Sequence, residues 1–61
     1  MKNQALVLLT ELAQDSYWRN RWQTAIALSG IQDPQAKLLI AKLQQDEHFR
    51  VVAAALEATS D

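Results

Sequence analysis

The feature that most constrains this chain is that it repeats itself with a fixed offset of 31 positions. Pairing residue n with residue n+31 gives nine identities: Gln4/Gln35, Ala5/Ala36, Leu8/Leu39, Leu12/Leu43, Gln14/Gln45, Asp15/Asp46, Arg19/Arg50, Ala27/Ala58 and Ser29/Ser60. Val7/Leu38, Leu9/Ile40 and Trp18/Phe49 are conservative pairs besides. The clearest echo is DSYWRNRWQTAIAL, Asp15 to Leu28, returning in outline as DEHFRVVAAALEAT, Asp46 to Thr59. A period between 20 and 50 residues signals one supersecondary unit used more than once, each copy burying its apolar face on the next. Two units follow, 1–30 and 32–61, within a single domain.

Each unit reads as a helical hairpin. A first helix is expected from Lys2 or Asn3 to about Gln14, with Asn3 as its cap. Ala5, Leu8, Leu9 and Leu12 share one face, Leu6 and Ala13 lie at its edge, and Val7 is on the far side. Asp15 and Ser16 offer capping oxygens to a second helix, about Tyr17 to Ser29, with Trp18, Trp22, Ala25, Ile26 and Ser29 inward and Gly30 in the left-handed position at its end. Asp33-Pro34 is a cap followed by proline at the first helical position, where the missing N–H costs nothing. The third helix then runs to about Gln44 and buries Ala36, Leu39, Ile40 and Leu43. Asp46 is expected to cap a fourth, about Glu47 to Ala58, with Phe49, Ala53 and Leu56 inward. Connections this short make consecutive helices pack as antiparallel hairpins. The expected fold is all-α: two tandem hairpins, four helices, stacked as a short α-solenoid.

The bounds on function come from size and charge. A chain of 61 residues buries only about 60% of its unfolded surface and needs efficient packing or self-association. It has no cysteine, which removes disulfides and thiolate metal sites and fits a cytoplasmic protein. Six basic and seven acidic residues give a net charge of −1, so no field gathers nucleic acid or an anionic membrane. The N-terminal apolar run, Ala5 to Leu9, is too short for a signal segment or a span. The initial methionine is what a complete short chain would carry.

Asp15, Trp18-Arg19, Arg21, Thr24-Ala25, Ala27-Leu28 and Gly30 together resemble the second half of a HEAT repeat. They are similar in particular to the short HEAT-like repeats of the phycobilisome-lyase type, in which an Asp, and an Arg six residues later, precede an alanine-rich helix ending in Ala-Leu-Gly. The likeness covers nearly the whole chain as two units, and implies an α-solenoid in which Arg21 pairs with Asp15 or Asp46. The second unit departs from the pattern, with Val52 in place of Arg21 and Thr59-Ser60 in place of the Leu-Gly ending. Proteins with such repeats include bilin lyase subunits, phycobilisome-degradation factors and scaffolds.

No residue set reads as an active site, and no cofactor is called for. His48 stands alone beside Asp46 and Glu47, and a metal would need three carboxylates to join it, so a solvated first-turn residue is the simpler reading. Thr10, Ser16, Thr24 and Ser29 lack a base and an orienting acid, and read as caps or packing residues. Glu11, Asp15, Asp33, Asp46 and Glu47 fall at helix starts or exposed faces, where dipole and solvent explain them. Trp18, Arg19, Arg21 and Trp22 mix aromatic and basic character as a nucleic-acid clamp would. Trp18 and Trp22, however, are four apart on the face of Ala25 and read as core, with Arg21 beside them and only Arg19 and Arg50 outward.

The sharpest clue is an asymmetry between the units. On the second helix Asn20, Gln23, Thr24 and Ala27 are expected outward; on the fourth, Val51, Ala54, Ala55 and Ala58 stand there, with Val52 for Arg21. A helix apolar nearly all round is normally buried, and a terminal solenoid repeat normally has a polar outer face. The expected interface is therefore Val51, Val52, Ala54, Ala55 and Ala58, joined by Val7 and Leu38 off the core face, while Asp15, Trp18, Arg21, Trp22, Asp46 and Phe49 are structural. The expected partner is another protein or a second copy in a homo-oligomer, and not nucleic acid or membrane. The leading function is a non-catalytic protein-interaction or scaffold module. A regulatory, chaperone-like or lyase-associated subunit acting on phycobiliproteins is the alternative, implied by the resemblance alone.

Overall fold

The computed structural model describes residues 4–59; the expected Asn3 cap and the Ser29/Ser60 equivalence lie partly or wholly outside them. Four helices form and no strand does among these residues: α1 (Gln4–Leu12), α2 (Trp18–Leu28), α3 (Pro34–Leu43) and α4 (Phe49–Ala58). The connections 13–17, 29–33 and 44–48 are five residues each, which obliges each helix to turn back beside its predecessor. α2 touches the other three helices, and its contact with α4 is the most extensive in the molecule. α1 meets α3 only lightly and does not reach α4.

The helix ends follow local chemistry. Asp33 caps α3 as expected, its side chain accepting the Gln35 amide hydrogen at 2.8 Å, with Pro34 opening the helix. Asp15 and Asp46 act one step earlier than expected. Each folds its carboxylate over the chain to accept from the amide two residues on, Tyr17 at 2.8 Å and His48 at 2.9 Å, so each makes an Asx turn and not the cap itself. The capping positions fall to Tyr17, which brings no side-chain bond, and to His48, whose ring Nδ1 accepts the Arg50 amide at 3.2 Å. Gly30 is not left-handed, since the described backbone has no positive φ. α2 instead tightens at its end, where the amides of Gly30 and Ile31 donate to the carbonyls of Ala27 and Leu28 at 3.3 and 3.0 Å.

The core joins Leu6, Ala25, Leu28, Ala36, Leu39, Ile40, Leu43, Val51 and Ala55 in one cluster. α3 buries the four residues its periodicity predicts, while Gln35, Lys37 and Lys42 face out together with Leu38. The other helices depart from expectation. In α1 the inward residues are Leu6 and, partly, Leu9 and Leu12, with Ala13 just beyond the helix also half-buried, while Ala5 and Leu8 face out. In α2, Ile26 and Ser29 are exposed and Thr24, expected outward, is only 1% accessible. Thr24 tolerates burial because its hydroxyl donates to the Asn20 carbonyl at 2.7 Å, leaving no polar group unpaired.

α4 is turned over relative to expectation. Val51 and Ala55 are fully buried, whereas Phe49, Ala53 and Leu56, expected inward, are exposed. Helix axes approach as closely as the side chains between them allow. Val51 and Ala55 share the core with Ala25 on α2, and small residues there permit the close α2/α4 contact that Phe49 and Leu56 would hold apart. With apolar residues all round α4, periodicity offered two faces and packing chose the smaller one.

Candidate protein-binding face

The join between the units is built on Arg21. Its Nε donates to Asp46 Oδ2 at 2.7 Å and its Nη2 to Asp46 Oδ1 at 3.2 Å, while Nη1 donates to the Asp15 carbonyl at 2.6 Å. This is the planar two-pronged pairing that arginine makes and lysine does not. It meets the expectation for Arg21 with Asp46; Asp15 enters through its backbone and not its carboxylate. Hydrogen bonding to Asp46 raises the Arg21 pKa against the opposing effect of burial. Burial works against the Asp46 carboxylate, but the Arg21 hydrogen bond, the His48 amide and nearby positive charge outweigh it and hold its pKa below the usual 3.8.

Beside that pair lies a column of rings. His48 stacks on Trp18 with centroids 3.9 Å apart and planes within 9°, and Phe49 follows His48 at 5.1 Å. Trp22 tilts against Trp18 at 6.2 Å, and both tryptophans are half-buried against the core. Arg19 and Arg50 are exposed as expected, but each guanidinium lies over the ring preceding it, Trp18 at 5.5 Å and Phe49 at 5.6 Å. His48 is thus not the solvated residue expected but a half-buried ring bridging the two units. The signal for it was present in the pairing of Tyr17 with His48, two rings 31 positions apart and each followed by a larger aromatic.

The expected interface is only partly at the surface. Val51 and Ala55 are core and unavailable to a partner; Ala54 and Ala58 are half-buried and packed on the core. Val52 is half-buried, and Val7 and Leu38 are exposed as expected. The open apolar surface of α4 is instead Phe49, Val52, Ala53 and Leu56, spaced i, i+3, i+4 and i+7 on one stripe. Phe49 is 73% and Leu56 54% accessible. The hydroxyls of Thr10, Thr24 and Ser29 all donate to carbonyls of their own helices, those of Leu6, Asn20 and Ile26. Among the described residues no three His, Cys, Asp or Glu side chains gather as metal ligands, and no helix is long and apolar enough to cross a membrane. No family model matches the chain, and no match is found among curated proteins or solved structures.

Proposed function

We propose that the chain is a non-catalytic protein-interaction or scaffold module, two HEAT-like hairpins stacked as a short α-solenoid, which binds through the outer stripe of α4. The observation that carries this reading is the exposure of Phe49 and Leu56, with Ala53 between them, on a helix whose opposite side is already the core. An aromatic anchor set among small apolar residues at helical spacing is the form in which a helix offers itself to a groove or to another helix. Stacking of like helices, α2 on α4 and α1 on α3, supports the solenoid reading, as does the Arg21–Asp46 pair that ties one unit to the next.

The test replaces both anchors at once. With Phe49→Lys/Leu56→Lys as bait, a protein captured specifically from native lysate by the wild-type chain is expected to disappear, while helix content by circular dichroism stays unchanged. Equal capture by a folded double variant would remove this stripe from the function.

A further inference from the structure

The two units are equivalent in sequence but not in exposure, and the mismatch has a direction. Leu39 on α3 is 6% accessible, whereas its equivalent Leu8 on α1 is 57%. Ala36 is buried and Ala5 exposed; Ile40 and Leu43 are buried while Leu9 and Leu12 are half-buried. On the second helix of each hairpin the sense reverses. Ala25 is inaccessible and Leu56, its equivalent, is 54% accessible; Trp18 and Trp22 are half-buried, and Phe49 and Ala53 are exposed. Unit 1 therefore leaves open what unit 2 buries on α3, and unit 2 leaves open what unit 1 buries on α2.

We propose that a second copy of this chain fills this vacancy head to tail, unit 1 of one molecule seated on the α4 stripe of the next and repeating the contact that unit 2 makes with unit 1. The inference rests on the α4 stripe being a docking face and names its occupant. The complementarity is supplied by the repeat itself. Unit 1 offers Tyr17 where unit 2 offers His48, the ring that lies on Trp18; carried forward by one unit, Tyr17 of the second copy lies on Phe49. Tyr17 is exposed and available for this. Leu8 of the incoming copy takes the position of Leu39. A net charge of −1 opposes the approach of copies only weakly.

The junction between copies is more polar and less well paired than the junction within a copy, because the incoming copy brings Asn20 and Thr24 where Val51 and Ala55 stand. Val52 stands where Arg21 would be, so the incoming Asp15 meets no guanidinium. Contact between copies is therefore weaker than contact between units, and association is reversible and dependent on concentration. A head-to-tail contact uses two different patches, so a pair of copies still has one free face of each kind and growth continues beyond two copies, into a ring or an open chain.

Sedimentation equilibrium with two surface variants tests the arrangement. For the wild type the average mass is expected to rise with concentration from 6.9 kDa to beyond twice that value. Leu8→Lys blocks one face and Phe49→Lys the other, so each alone is expected to stay at the monomer mass. Mixed in equal amounts they retain one good face of each kind, and the mass is expected to double and stop there. Tyr17→Ala, a milder change on the same face as Leu8→Lys, is expected to weaken growth without loss of helix, which separates a blocked face from an unfolded chain. A wild type that stays monomeric at millimolar concentration overturns the proposal, as does a folded mixture that stays monomeric. Self-association of Leu8→Lys alone overturns it too, because two α4 stripes would then be meeting each other. If the wild type is monomeric while the double lysine variant still loses capture of a different protein, the docking face stands and the second copy is the wrong occupant.

Discussion

At the scale of the residue, Arg21 and His48 each reach from one unit to the other, Arg21 to Asp46 and His48 to Trp18. The Arg21–Asp46 pair is largely screened from water, with side-chain accessibilities of 13% and 9%, so removing one partner leaves the other charge poorly satisfied. Asp46→Asn keeps an oxygen for the His48 amide but loses the charge, and is expected to destabilise the fold by about 2 kcal/mol, read from the urea midpoint. Because the folded-state pKa of Asp46 lies below its ordinary value of 3.8, its contribution is fully present above that value. It is lost as pH falls through the lower, folded-state pKa. Acid titration of stability is therefore expected to show a loss below pH 3.8 in the wild type that Asp46→Asn reduces; identical acid limbs would argue against the pair. For His48, asparagine supplies a capping oxygen in place of the ring Nδ1 and removes the ring. His48→Asn is expected to cost about 0.5–1.5 kcal/mol from the lost stack on Trp18 and to shift tryptophan emission, whereas an unmoved emission spectrum would deny that contact.

At the scale of the element, α3 and α4 mark how far periodicity reaches. In α3, Gln35, Lys37 and Lys42 mark the outer side, Leu38 notwithstanding, and its buried face was readable residue by residue. α1 and α4 carry apolar side chains on more than one face, and there spacing alone could not choose; Leu6 replaced Leu8 inside α1, and Val51 with Ala55 replaced Phe49 with Leu56 inside α4. Turning Phe49 and Leu56 inward would have removed more apolar area from water. The close α2/α4 contact reversed that preference. The helix order and the Asp33-Pro34 start were legible because each depends on local chemistry or on the repeat, whereas Asp46 was one of two partners for Arg21 that the family resemblance implied. The His48–Trp18 stack and the buried Thr24 depend on which way a helix is rotated. The opposed faces of α4 should respond differently to substitution. Val51→Ala is expected to cost about 2 kcal/mol and Ala55→Leu about 1–3 kcal/mol by overpacking, whereas Ala53→Ser on the outer stripe should stay within about 0.5 kcal/mol. Equal costs on both sides would show that α4 has no preferred face.

At the scale of the whole molecule, the fold is a thin one. Its Cα atoms span 34 × 28 × 14 Å, and a chain of this size buries only about 60% of its unfolded surface. Open apolar positions on α1 and on α4 leave further burial to be gained by contact with another molecule, and by mass action any such contact stabilises the folded state. The thermal midpoint is accordingly expected to rise with protein concentration in the wild type and to be independent of it in Phe49→Lys; a midpoint that ignores concentration in both would point to a partner other than a second copy. Both proposals depend on one structural fact, that α4 turns Phe49 and Leu56 to solvent and Val51 and Ala55 to the core. The chain contains no cysteine, so single thiols introduced by Phe49→Cys, Val51→Cys, Ala55→Cys and Leu56→Cys can be read one at a time by their rate of reaction with a thiol reagent at low protein concentration. The thiols at positions 49 and 56 should react at nearly the rate of a free thiol while those at 51 and 55 are strongly protected; protection at 49 and 56 with fast reaction at 51 and 55 would contradict the orientation of α4 and both proposals with it.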